Sequence, residues 1–382
     1  MKILVLCYEY PPVGGGGGRV AAQVAASLAS RGHDVRVLTA GMRHLPRREM
    51  RDQIEVLRPE SFRRREDTCR VPEMALYVAT SFLPVLREAR KWRPDVIHAH
   101  FAVPTGPLAL AAKIFAGVPY VLTAHLGDVP GGVPEQTDHL FRFLGPVLAP
   151  IWRRAQSVTA VSRFVAGLAA KAYGVDPVVI PNGVNRIAPP QLRIHSPRRI
   201  LMVGRLSIQK NPLLALKALA LIKEMDWSLD VIGDGPLRYK VIEFAEREGI
   251  ATRVTLHGWT SGAMVAGVMA EADILLMPSL HEGLPMVAIE ALQLGVAIVG
   301  SQIGGMRDVV DEEKNGFLCE LSPAAFAEKL RVLLADAEML KRMRRASREK
   351  ADDFDLEKTV TAYEGILEQS SRRDREQGSP RP

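Results

Sequence analysis

The stretch Ser279-Leu280-His281-Glu282-Gly283-Leu284-Pro285-Met286-Val287-Ala288-Ile289-Glu290 places one carboxylate before and one beyond a loop-to-helix junction. Pro285 suits the first turn of a helix, where its missing N–H costs nothing, and the apolar run from Met286 to Leu294 continues it. The amides of Met286, Val287 and Ala288 then lack intrahelical partners and sit at the positive end of the helix dipole. A phosphate is favoured there by hydrogen bonding and by charge together. Glu290 falls about two turns in, and a helical side chain leans back toward the N-terminus, while Glu282 projects from the preceding loop. One carboxylate for a ribose and one for a sugar is the natural assignment.

The apolar segment before this junction, Ile274 to Met277, is one of a series. In the first half, strands are expected at Ile3 to Cys7, Val35 to Thr39, Asp95 to His98, Tyr120 to Thr123, Ser157 to Val161 and Val178 to Ile180, with helices between them. The alternation restarts at Ile200 to Val203 and continues through Leu229 to Ile232, Val254 to Leu256, Ile274 to Met277 and Ala297 to Val299. Strand and helix in alternation predict parallel α/β layers. A chain of 382 residues exceeds what one core usually supports, so two domains follow. The weakly patterned stretch Pro181 to Pro197, with Pro189-Pro190, reads as the connection.

Composition narrows the classes. With 47% hydrophobic and 24% charged residues, and no apolar run near the ~18 residues that span a bilayer, a soluble globular chain is expected. The start, Met1 to Cys7, is too short for a signal segment and reads as a buried strand. Cys7, Cys69 and Cys319 are far apart, which disfavours disulfides and zinc and points to a reducing, cytoplasmic compartment. The net charge of +7 is uneven: residues 1–190 hold 24 Lys and Arg against 15 Asp and Glu. The arginines between Arg43 and Arg70 could attract anionic lipid headgroups or a phosphorylated lipid acceptor, with a solvated loop as the alternative. No recognised nucleic-acid motif accompanies them, so nucleic acid is not expected as a partner.

The Glu282 to Glu290 spacing, with Gly-Leu-Pro between, resembles the signature of retaining glycosyltransferases of family 4, group 1, which have the GT-B architecture. The resemblance covers nearly the whole chain. It implies an α/β fold of two Rossmann-like domains with parallel sheets facing across a cleft: residues 1–182 on the acceptor side, a linker at 183–197, and a nucleotide-sugar domain at 198–355. A helix at 356–369 would return to the first domain, and 370–382, charged and poor in apolar residues, would be a disordered tail. The implied donor is a nucleotide diphosphate-sugar, and the acceptor a lipid-linked intermediate or a glycan. Transfer would proceed with retention and without a metal or other cofactor, in the cytoplasm or at the inner face of the membrane.

Further segments extend the match. Gly204-Arg205-Leu206-Ser207-Ile208-Gln209-Lys210 follows the first strand of the second half, where open α/β sheets bind ligands. Arg205 and Lys210 can neutralise a departing diphosphate, as a divalent metal does elsewhere. The resemblance makes them catalytic together with Glu282 and His125. His125 lies in Thr123-Ala124-His125-Leu126-Gly127-Asp128 and is similar to a family histidine that contacts the donor sugar; Asp128 would orient acceptor or loop. Donor contacts are carried onto Gly15, Gly16, Gly283, Leu284, Met286, Val287 and Glu290. Gly15 and Gly16 belong to Pro11-Pro12-Val13-Gly14-Gly15-Gly16-Gly17-Gly18, which precedes a helix expected to begin near Arg19 and fails the dinucleotide pattern G-x-G-x-x-G in every frame. Gly233-Asp234-Gly235 would bring backbone near the nucleotide. His98 and His100 are read as structural or acceptor-side residues that alternate faces. Asp353-Phe354-Asp355 imitates a metal motif, but its place near a helix start makes Asp355 a cap, and no metal site is expected. A hydrolase or epimerase acting on the nucleotide-sugar alone, and a non-catalytic nucleotide-sugar-binding scaffold, are the competing readings.

Overall fold

A computed structural model of the chain describes residues 1–66, 68–188 and 191–376. These form two compact units, the first comprising Met1–Gly183 together with the chain from Leu356, the second Val184–Asp355.

The first unit is built on eight strands: β1 (Lys2–Cys7), β2 (Asp34–Leu38), β3 (Arg48–Arg51), β4 (Ile54–Leu57), β5 (Val96–His100), β6 (Tyr120–Ala124), β7 (Ser157–Ala160) and β8 (Val178–Val179). Their order is β3-β4-β2-β1-β5-β6-β7-β8, parallel except for the β3–β4 pair. Helices α1 (Gly16–Ser30), α2 (Val71–Lys91), α3 (Ala102–Ala116), α4 (Pro134–Arg153) and α5 (Arg163–Tyr173) connect them. Central strands bury nearly every side chain, which accounts for continuous apolar runs such as Ile3 to Leu6.

The second unit carries β9 (Arg198–Val203), β10 (Trp227–Ile232), β11 (Val254–Gly258), β12 (Ile274–Met277), β13 (Ala297–Ser301) and β14 (Gly316–Cys319), in the all-parallel order β11-β10-β9-β12-β13-β14. Helices α6 (Pro212–Ala220), α7 (Arg238–Arg247), α8 (Gly262–Ala270), α9 (Met286–Gln293), α10 (Met306–Val309), α11 (Pro323–Ala335) and α12 (Ala337–Ala351) accompany the sheet. Ile200, Trp227, Leu229, Ile274, Phe317 and Phe326 are among its core. The last helix, α13 (Leu356–Glu376), belongs to the first unit.

Several expectations need correction. The span 183–197 is not a free linker: from Val184 on it packs into the second unit. Val184 bridges Asp355, His195 contacts the buried Asp273 carboxylate at 3.2 Å, and the Arg193 carbonyl accepts from the Arg344 guanidinium. Pro189-Pro190 lies outside the described residues. The expected tail at 370–382 begins inside α13, where Ser370 and Ser371 are buried. Residues 377–382 lie outside the described part. Three strands were not expected. β3 and β4 hide in the arginine-rich stretch, and β14 is only four residues long.

In each sheet the connection direction reverses at one place, between β1 and β5 in the first unit and between β9 and β12 in the second. In open α/β sheets the usual ligand position is outside the carboxyl ends of the strands at such a switch point.

Candidate active site

In the second unit, the loops after β9 and β12 bring the predicted residues together. Lys210 Nζ lies 2.6 Å from Glu282 Oε1, and the Glu282 side chain is 8% exposed. Two hydrogen bonds lock the loops together: Leu280 N donates to the Gln209 carbonyl at 2.7 Å, and the side-chain Nε2 of Gln209 donates to the His281 carbonyl at 3.0 Å. Arg205 sits on the same β9 loop and is half-buried.

Helix α9 starts one residue later than expected. Pro285 is its N-cap, with extended φ −74° and ψ 115°, and its carbonyl accepts from the amides of Ala288 and Ile289. The Ala288 amide is therefore taken, while those of Met286 and Val287 precede the first intrahelical bond and mark the positive helix end. Gly283, Leu284 and Met286 are buried around this end, Val287 is half-buried, and Glu290 is half-buried one helical turn further along. The structure thus brings Lys210, Glu282, Gly283, Leu284, Met286, Val287 and Glu290 into one loop-and-helix assembly, with Arg205 on the neighbouring loop.

Glycines set this geometry. A Cβ on Gly305, in the loop after β13, would lie 1.8 Å from the Gly283 carbonyl oxygen, and the Gly305 amide donates to the Glu282 carbonyl at 3.0 Å. The pair Gly304-Gly305 after a strand was the available signal, and it went unread. Gly233 and Gly235 support the Arg205 loop: their missing Cβ atoms would lie 2.1 Å from the Gly204 oxygen and 2.5 Å from the Leu206 oxygen. Their close backbone approach is to that loop.

In the first unit, α1 begins at Gly16, three residues before the expected start, with Gly15 as N-cap. The Gly15 amide donates to Glu9 Oε2 at 3.1 Å. Glu9 thus occupies the Gly15 amide at this helix end. Gly17 rests on a stacked pair, Phe101 and His125, whose rings are 4.2 Å apart; its Cβ would lie 2.5 Å from Phe101 Cζ. Phe101 holds φ +68°, a strained value that aims its ring at the loop.

His125 is buried, and desolvation lowers its pKa to about 4, against a smaller opposing effect of Asp128. Asp128 is a loop organiser: Oδ1 accepts from the amides of His125 and Leu126, and Oδ2 from the amide of Ala102 at the start of α3. His98 and His100 do not alternate faces, because residues two apart on a strand share one. Their rings are 4.1 Å apart, and burial lowers His98 to about 3 and His100 well below its ordinary value. Asp355 of the apparent metal motif stands directly before α13, and it accepts from Arg186 Nε at 2.8 Å. Much of the arginine-rich stretch is engaged locally: Arg47 pairs with Glu60, Arg48 with Glu55, and the buried Arg58 with Glu49.

The paired Lys and Glu and the start of α9 stand on loops at the carboxyl ends of strands in an α/β chain of two units. A sequence model of the family Glycosyltransferase Family 4 matches residues 14–188, and one of Glycosyl transferases group 1 matches residues 185–350. The chain belongs to the group 1 glycosyltransferases of family 4 type, with the GT-B fold, and its activity is glycosyl transfer. Among relatives, glycogen synthase of Mycobacterium tuberculosis is 28% identical over 400 residues, covering 98% of this chain and 96% of that one. N-acetyl-alpha-D-glucosaminyl L-malate synthase of Bacillus anthracis is 26% identical, with 98% of each chain covered. Among solved structures, sucrose-phosphate synthase of Thermosynechococcus elongatus superposes with a TM-score of 0.84 at 20% identity, covering 96% of this chain and 98% of that one. HepE of Anabaena in complex with UDP-glucose gives 0.74 at 21% identity, covering 97% and 100%.

Proposed function

We propose that this glycosyltransferase takes a nucleoside diphosphate-sugar, retains the anomeric configuration and passes the sugar to a hydroxyl of a lipid-linked or polysaccharide acceptor. The observation that carries this reading is the Lys210–Glu282 pair at 2.6 Å, its carboxylate buried, beside the start of α9. In this reading the donor diphosphate lies against the amides of Met286 and Val287, with Arg205 and Lys210 neutralising the charge that builds up as it leaves. Glu290 accepts from ribose hydroxyls and Glu282 from a sugar hydroxyl. His125 contacts the sugar. The bond between the anomeric carbon and the phosphate oxygen breaks, and the acceptor oxygen attacks from the same face. Its proton passes to the departing phosphate, so no separate base is required. Two fixed cations and a helix end supply the electrostatic stabilisation that a divalent metal gives in other enzymes, so transfer runs without one. The UDP-glucose complex of the Anabaena neighbour supports a nucleotide-sugar donor.

We also propose that the protein works in the cytoplasm, peripherally at an anionic membrane surface. No helix among the described residues is long and apolar enough to cross a membrane. Helix α2 instead exposes Val71, Leu76, Phe82 and Leu83 on one face, against Ile114 and Phe115 of α3, with Arg87 and Arg90 exposed beside them. Proton NMR of the transfer product tests the chemistry. The account predicts the donor's own anomeric configuration; inversion contradicts it, and rapid release of free sugar without acceptor identifies a hydrolase.

A further inference from the structure

His100 and His125 share a hydrogen bond that only one of them can donate. Nδ1 of His100 lies 3.1 Å from Nε2 of His125, and burial keeps both rings neutral near pH 7. Each ring then carries one N–H, and two arrangements satisfy the contact. If His125 donates from Nε2, His100 must hold its own proton on Nε2. That nitrogen is buried and meets no acceptor, so the arrangement strands an N–H in the interior. If His100 donates from Nδ1, its own Nε2 keeps only a lone pair, and the N–H of His125 falls on Nδ1, which is not among the buried unpartnered atoms. Folded proteins leave a buried donor unpaired less readily than they under-use an acceptor.

The surroundings hold His100 in place. The His98 ring lies 4.1 Å away and is itself tied by Nε2 to Thr123 Oγ1 at 2.9 Å, which in turn meets Thr159 Oγ1 at 2.7 Å. The Tyr363 ring of α13 closes the far side of His98 at 4.9 Å. The other ring nitrogen of His125, Nδ1, faces the glycine-rich loop, 3.3 Å from where a Cβ on Gly17 would stand.

We propose that His100 is a positioning residue that locks His125 as the Nδ1–H tautomer, so that His125 offers the sugar donor a hydrogen bond and cannot act as a proton acceptor. The identity of the ligand rests on the function proposed above; the tautomer does not. Two-bond proton–nitrogen NMR on the full chain, labelled with ring-15N histidine and assigned through His125→Asn, reads the tautomer directly. A protonated Nδ1 and bare Nε2 at His125 are expected, and a protonated Nε2 overturns the proposal. His100→Asn keeps a donor near the Nδ1 position and should hold kcat/KM within about threefold, whereas His100→Leu should lower it about tenfold and let the His125 tautomers mix. Equal losses in the two variants, both folded, assign His100 to packing and also overturn it. A wild-type protein without transferase activity but with the expected tautomer counts against the function and leaves the tautomer standing.

Discussion

Lys210 and Glu282 act as a unit. The ammonium lies 2.6 Å from a carboxylate whose side chain is 8% exposed, so removing either partner leaves the other charge poorly solvated as well as unavailable to the donor. Lys210→Ala and Glu282→Ala are each expected to lower kcat/KM by about a hundredfold or more, the scale seen when one preorganised group is deleted from a charge-stabilising site. The double variant should lose little beyond either single one, because the two do not contribute independently. Steady-state kinetics on the three folded variants checks this, and additive losses would contradict it. Both residues were legible because strand-end loops with fixed polar neighbours leave a pattern in sequence. Glu9, Phe101 and His100 were not. Their roles depend on a bond to the Gly15 amide within one loop, and on a ring stack and a ring-nitrogen contact between residues at the ends of different strands.

Among elements, the loop after β13 decides the shape of the Glu282 loop although it contributes no side chain. Gly305→Ala places a methyl 1.8 Å from the Gly283 oxygen, so the backbone must move. The expected result is loss of donor binding by at least about tenfold with the unfolding midpoint only modestly lowered, measured by calorimetric titration and urea denaturation; unchanged affinity would show that the loop tolerates displacement. Helix α2 carries a different prediction. Its inner face, Tyr77, Ser81, Val85 and Ala89, is core, yet its outer face is also apolar over Val71 to Leu83. The helix thus presents one core face and one exposed apolar face. Leu83→Glu with Phe115→Glu should abolish co-sedimentation with anionic vesicles at low salt. Retained binding would return the role to the arginines. Strand β3 escaped notice because Arg48-Glu49-Met50-Arg51 is charged and largely exposed, and β4 because its short apolar run is broken by Glu55 and lies within the arginine-rich stretch.

For the whole molecule, the alternation of apolar strands with helical patterns was enough to predict two α/β units, because buried parallel strands must be apolar throughout. The chain's partition between the units was only partly legible. The stretch before β9 contains prolines and few apolar residues, and so resembles a connection. It docks because the buried Asp273 carboxylate gathers Arg344, at 2.7 Å, and His195, at 3.2 Å, around it. Likewise the polar end of α13 reads as a tail, though Ser370 and Ser371 are covered by the first unit. Such contacts join residues far apart in sequence, and no local pattern announces them. The central claim is that a nucleotide-sugar binds the Arg205, Lys210 and Glu282 loops through fixed cations and a helix end. Thermal unfolding of the purified protein against UDP-, GDP-, ADP- and CDP-sugars, with and without EDTA, tests it most directly, since a ligand held only by the native state raises the midpoint. The account predicts a rise for one nucleotide class that EDTA leaves unchanged and Lys210→Ala removes; no rise with any nucleotide at millimolar concentration, or a rise that EDTA abolishes, would contradict it.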